Sequence, residues 1–239
     1  MVGGMVAGGS NAAAVPGWLG AAAGVFAALV AGCTLVFEFT GYRRVVTVVN
    51  VLGTIVHEAG HALVCVLTGG GIYRFEVTGP DNGSVTYWHP SKLATIATGM
   101  AGYAMPTLAG LGAAALIHHG HPAGVLLATV ITMGCLLLVA RDFLTLLSVV
   151  LVGGLAFIAL RWGPASLQDV LTYTESWLLL TSELGGLTWG IVGRFRGLAT
   201  IADAQNLATR TRIPGAIWII GWLVFIAWGI WHAAPMLLD

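Results

Sequence analysis

The sequence predicts an all-α integral membrane protein: a polytopic bundle of about six or seven transmembrane helices, with a small β-hairpin after the second span. Three observations carry this reading. The 239 residues are 57% hydrophobic and only 8% charged, with a mean hydropathy of +0.89. Apolar stretches of about 20 residues, the length a helix needs to cross a bilayer, recur from one end of the chain to the other. A short polar segment with strand-like alternation interrupts them once.

Seven stretches qualify, at 17–38, 46–68, 93–117, 122–140, 142–161, 171–193 and 214–235. The run from Gly124 to Leu160 is too long for one span, and Arg141-Asp142 in its middle is the natural site for a turn between two. Glu175 and Glu183 interrupt the sixth stretch, which makes it the weakest of the seven. Before Pro16 the chain is rich in Gly and Ala, and residues 1–16 are expected to form a disordered tail ahead of a single membrane domain over 17–239. No charged side chain precedes Glu38, so the basic region of a secretory signal peptide is missing and the first span is expected to stay as an anchor. Between the second and third spans, Ile72 to Thr78 and Ser84 to Trp88 flank the turn-rich Gly79-Pro80-Asp81-Asn82-Gly83, a hairpin over 72–88.

Ten basic and ten acidic side chains balance to zero net charge. They are too sparse for a cationic face, which excludes a nucleic-acid role. Cys33, Cys65 and Cys135 stand singly in apolar runs and form no Cys-x-x-Cys pair, so neither a disulfide framework nor a thiolate zinc knuckle is indicated. Seven spans would put Arg74, Lys92, Arg141, Arg194, Arg196, Arg210 and Arg212 on one side against Arg43, Arg44 and Arg161. That excess favours a cytoplasmic N-terminus, while Arg43 and Arg44 beside the first span argue the other way.

The chemistry is concentrated in the second span, in His57-Glu58-Ala59-Gly60-His61. With 3.6 residues per turn, His57 and His61 project from one helix face and can share a Zn²⁺ ion. Glu58 is placed to take a proton from a metal-activated water instead of ligating. Burying such a motif without a cation is unfavourable: one glutamate at the bilayer centre costs about 2.5–3.5 kcal/mol on insertion scales.

This His-Glu-Ala-Gly-His-Ala segment in an early span resembles the site-2 protease family of membrane-embedded zinc metallopeptidases, in particular its compact bacterial branch. The Thr68-Gly69-Gly70-Gly71 exit with its polar, strand-like sequel is similar too, as is Gly99-Met100-Ala101-Gly102-Tyr103-Ala104-Met105-Pro106 in the third span. The resemblance implies a multi-pass protein of a bacterial cell membrane, dependent on Zn²⁺, with His57 and His61 as ligands and Glu58 as base. Its partners would be the lipid bilayer and a membrane-protein substrate.

A catalytic zinc usually takes a third protein ligand. In the family this is an aspartate in a Leu-Asp-Gly motif, and that motif does not occur here. Asp203, in Ile201-Ala202-Asp203-Ala204-Gln205-Asn206, is the first candidate, with a helix N-cap as its alternative role. Asp142 is the second, with neighbouring Arg141 as a simple partner. Glu183 is unpaired in sequence, and it can line an aqueous cavity or meet an arginine from another helix. His118, His119 and His121 cluster in a loop and read as solvated side chains.

The function expected is an intramembrane zinc metalloprotease that hydrolyses peptide bonds in transmembrane or membrane-proximal segments. An exposed hairpin edge could pair with the extended substrate backbone that hydrolysis requires. Two other classes stay open: a membrane metal-binding or transport protein, and a catalytically silent relative acting as a scaffold. Glu58 separates them, because only hydrolysis requires it.

Overall fold

A computed structural model describes residues 17–40, 50–79, 82–195 and 201–238. Its element order is α1 (Trp18–Thr40), α2 (Val51–Leu67), β1 (Gly71–Gly79), β2 (Asn82–Trp88), α3 (Lys92–His118), α4 (Pro122–Leu137), α5 (Phe143–Trp162), α6 (Ala165–Thr181), α7 (Leu184–Phe195), α8 (Ala202–Thr211) and α9 (Gly215–Leu238). The expected tail 1–16, the pair Arg43 and Arg44, and the expected turn residues Pro80 and Asp81 lie outside the described residues.

Among the described residues, α3, α5 and α9 are long and apolar enough to cross a membrane. Shorter apolar helices cover Trp18–Cys33, Val51–Leu67 and Pro122–Leu137. The outward face of α5 is apolar, with Val150, Leu151, Leu155 and Ile158 more than half exposed. Such a face belongs against lipid, where only intrahelical hydrogen bonding is required of the backbone.

The expected continuous span at 171–193 is not formed. Its residues divide between α6, which ends at Thr181, and α7, which starts at Leu184. Ser182 turns its carbonyl to the side-chain amide of Asn50 at 3.3 Å, and a new helical ladder starts with Leu187 N–H donating to the Glu183 carbonyl at 3.0 Å.

The central element is α3, which packs against α2, α4, α6, α8 and α9. Gly60 sets the approach of α2: a Cβ there would lie 2.6 Å from the Met105 Cβ. Small residues at helix contacts permit such closeness where lipid gives burial no hydrophobic reward. Pro106 lies within α3; it has no N–H for the Gly102 carbonyl four residues earlier, which leaves a gap in the helical ladder there.

The hairpin pairs β1 with β2 antiparallel, Phe75 opposite Val85 and Val77 opposite Gly83. Register shifts between Ile72 and Arg74 and between Val77 and Gly79 let the longer strand match the shorter one. Phe75 and Val77 are buried in a core with Ile55, Met133, Leu136 and Val149, and this core ties the hairpin to α2, α4 and α5. Beyond β1 a parallel bridge joins Phe75 to Ala140, whereas no third strand joins β2 among the described residues.

Candidate metal centre

One turn of α2 presents His57, Glu58 and His61. The two imidazoles stand edge to face, with ring centroids 5.0 Å apart. Glu58 and His61 are buried, at 7% and 4% exposure. From α8, Asp203 reaches in: its Oδ2 lies 3.3 Å from His57 Nε2 and 3.4 Å from His61 Nε2. Among the described residues these three form the group able to hold a metal ion, their ligand atoms all within 4.8 Å of one another.

The placement of Asp203 depends on its neighbours. Ala204 and Leu207 seat α8 in a core with Leu187, Ile219, Trp222 and Ile226. Gly99 makes room for Leu207, whose Cδ2 would stand 3.1 Å from a Cβ at that position. The N-cap of α8 is Ile201, so Asp203 is not the cap that its sequence context also allows. It lies in the first turn, where the helix dipole favours an acid. Burial opposes its charge, but hydrogen bonds and charge from His57 and His61 outweigh that and hold the carboxyl well below the usual carboxylate range.

The remaining ring nitrogens are also engaged. His61 Nδ1 is 2.7 Å from the Thr98 carbonyl; that oxygen can only accept, so Nδ1 carries a hydrogen, and in the neutral ring Nε2 keeps the lone pair. His57 Nδ1 faces Glu183 Oε1 at 3.3 Å. The His57 ring is further held edge-on by Tyr103, with centroids 4.5 Å apart, and Tyr103 leans on Trp222.

These donors fit a zinc ion. With both rings neutral, two Nε2 lone pairs and a carboxylate oxygen face one another and repel unless a cation lies among them. Bonds of about 2.0–2.1 Å in tetrahedral array put ligand atoms about 3.3 Å apart, which the two imidazole-to-Asp203 separations match. The space is kept open by Gly102, where a Cβ would come within 2.4 Å of His61 Nε2 and 2.5 Å of His57 Nε2. Glu58 is not in the converging trio. Gly83 of β2 passes directly over it, close enough that a Cβ there would lie 2.4 Å from the Glu58 Cγ.

Asp142, the second candidate for third ligand, is not brought to this group. It is the N-cap of α5, accepting from Thr145 N–H at 2.9 Å and from the Thr145 hydroxyl at 2.5 Å. Asp142→Ala is therefore expected to lower stability by about 1 kcal/mol, the usual value of such a cap, and to leave metal content unchanged. Thermal unfolding and metal analysis of the purified variant check both. His118 and His119 meet edge to face but belong to no metal-binding group among the described residues.

A cavity of about 90 Å³, lined by Tyr87, Thr95, Gly99, Asp203, Asn206, Leu207 and Arg210, lies beside Asp203. A larger one, about 760 Å³, runs along another face of α2 past Leu52, Val56, Ala59, Leu63 and Val66 and contains none of the three converging donors. Its carboxyl, Glu175, accepts a hydrogen bond from Thr129.

Apolar helices around two imidazoles and a carboxylate, with a further carboxyl on the residue after His57, define a membrane protein with a site able to hold a metal ion. The chain belongs to the Peptidase M50B-like family, whose model matches residues 24–233. No curated protein and no solved structure matches it.

Sequence reasoning singled out His57, Glu58, His61 and Asp203. It missed the roles of Thr98, Gly102, Tyr103 and Trp222, and for Glu183 it offered an aqueous cavity or an arginine where the structure gives His57. A signal existed for two of these: an unpaired acid in an apolar stretch, and a glycine one helical turn after another.

Proposed function

We propose that this chain is an intramembrane zinc protease, hydrolysing peptide bonds within or beside the spanning segments of other membrane proteins. The carrying observation is the convergence of His57 Nε2 and His61 Nε2 on Asp203 Oδ2, at 3.3 and 3.4 Å, in a group whose ligand atoms all lie within 4.8 Å of one another. Family membership supports the reading. The shorter apolar helices α1, α2 and α4 would join α3, α5 and α9 in a multi-pass bundle, in a bacterial cell membrane as the sequence resemblance implies.

In this reading His57, His61 and Asp203 hold the ion, which supplies Lewis acidity toward water and toward the peptide carbonyl. Glu58 accepts the proton of the attacking water and passes it to the leaving amine nitrogen, so the C–N bond breaks as a neutral amine departs. Water reaches the site past Asp203 and Arg210. The substrate binds as an extended strand along β2, whose Gly83 overlies Glu58; main-chain pairing on a free edge tolerates varied side chains.

The test uses the whole chain in detergent. One zinc per chain is expected, with cleavage of a membrane-spanning reporter peptide that stops on chelation and returns with added zinc. Asp203→Ala is expected to lose stoichiometric zinc. A wild-type protein that binds no zinc, or that cleaves equally well after chelation, would overturn the proposal.

A further inference from the structure

We propose that Glu183 is a positioning residue that sets His57 for metal binding through the imidazole's outer nitrogen; this rests on the zinc-site reading above. The carboxylate of Glu183 stands 3.3 Å from His57 Nδ1, and both side chains are 12% exposed. An acceptor on Nδ1 fixes the hydrogen there and directs the Nε2 lone pair inward, toward Asp203. His61 has the same arrangement with a different acceptor, the Thr98 carbonyl at 2.7 Å. The two imidazoles are thus oriented by unlike groups, a neutral carbonyl for one and a charge for the other. Both acceptors raise the basicity of the nitrogen that faces inward, and the carboxylate adds a full negative charge to that effect.

The fold delivers Glu183 to this point at some cost to regularity. It occupies the break between α6 and α7, where a continuous span was expected, and starts α7 with its carbonyl bonded to Leu187 N–H. The break is fastened to the first turn of α2. Asn50 donates to the Ser182 carbonyl at 3.3 Å, and Ser182 packs so tightly on Gly53 that a Cβ there would lie 2.5 Å from its own. Gly53 is one turn before His57 on the same helix, so the fastening and the carboxylate's target share one rigid element. Among the described residues the ion-pair partner of Glu183 is His57, and no arginine or lysine pairs with it.

Charge balance favours the same role. Glu58, Glu183 and Asp203 place three carboxyl groups around two imidazoles that must be neutral to ligate, and a divalent cation offsets two of the three charges. Removing Glu183 therefore withdraws both an orienting hydrogen bond and part of the field that holds the ion.

The experiment measures zinc affinity of the full chain in detergent by competition with a chelator of known strength. It also records the visible absorption of the cobalt-substituted protein and the unfolding midpoint of the zinc-stripped protein. Glu183→Ala is expected to bind zinc about 10–100-fold more weakly, the usual effect of losing such a partner, with a shifted cobalt band and an unchanged midpoint after zinc is stripped. Glu183→Gln, whose amide oxygen can still accept from Nδ1–H, is expected to recover the cobalt band and only part of the affinity. Wild-type affinity in both variants overturns the proposal, and so does an affinity loss matched by a lower midpoint of the stripped protein. A wild-type chain that binds no zinc would instead defeat the underlying site reading, which keeps the two failures distinct.

Discussion

Glu58→Gln is expected to reduce peptide hydrolysis by about 10²–10⁴-fold, the contribution of a positioned general base, while zinc content stays at the wild-type level. The asymmetry follows from position. Glu58 shares a helical turn with His57 and His61 but is outside the set of converging donor atoms, so an isosteric amide removes the proton acceptor without removing a ligand. Its surroundings make the substitution clean: the side chain is 7% exposed and overlain by Gly83 of β2, leaving little space for another base to take over. Single-turnover cleavage of a membrane-spanning peptide, measured beside zinc per chain, reads both quantities. Undiminished cleavage would exclude the proposed mechanism and favour an ion carrier or a scaffold, which have no need of that carboxylate.

Gly102→Ala is expected to abolish zinc binding although it adds a single methyl group. That methyl would stand 2.4–2.6 Å from His61 Nε2, His61 Cε1 and His57 Nε2, in the volume toward which both lone pairs are directed. The atoms it meets belong to rings fixed on their far sides by Thr98 and Glu183, so they cannot withdraw without losing those bonds. Gly112→Ala provides the control on the same helix, since nothing lies within 4 Å of an added Cβ there. Helix propensity favours alanine over glycine by about 0.8–1.0 kcal/mol. Both variants therefore gain helix preference, and only one should lose metal. Elemental analysis of the two purified proteins decides, and full zinc occupancy in Gly102→Ala would show that the ion site lies elsewhere.

The limits of reading this chain as a string are seen in its acids. His57, Glu58 and His61 are legible because four residues make about one helical turn, a distance that sequence and geometry share. Asp203 and Asp142 are not separable this way: each precedes or opens an apolar helix, and each has a reasonable capping role. What distinguishes them is contact: Asp203 meets imidazoles 142 and 146 positions away, on a helix seated by Leu207 over Gly99, whereas Asp142 is held by Thr145 three positions on. The sixth stretch, 171–193, has span-like hydrophobicity over most of its length, yet it is divided at Ser182-Glu183, where Asn50, from a distant segment, donates to a backbone carbonyl. Composition averages over such a site and does not register it.

By itself the sequence determined the solvent this protein is made for, the hairpin after α2, and the turn of helix that bears two imidazoles and a carboxyl. All of these follow from hydropathy and from periodicities of two or 3.6 residues, which are local properties of a chain. Tertiary structure alone decided which carboxylate meets the imidazoles, which acceptors hold their outer nitrogens, and which glycine leaves room between them. Those are relations between helices, set by packing of small residues and by hydrogen bonds across the bundle, and no local pattern encodes a distance between segments that meet only when the chain is folded.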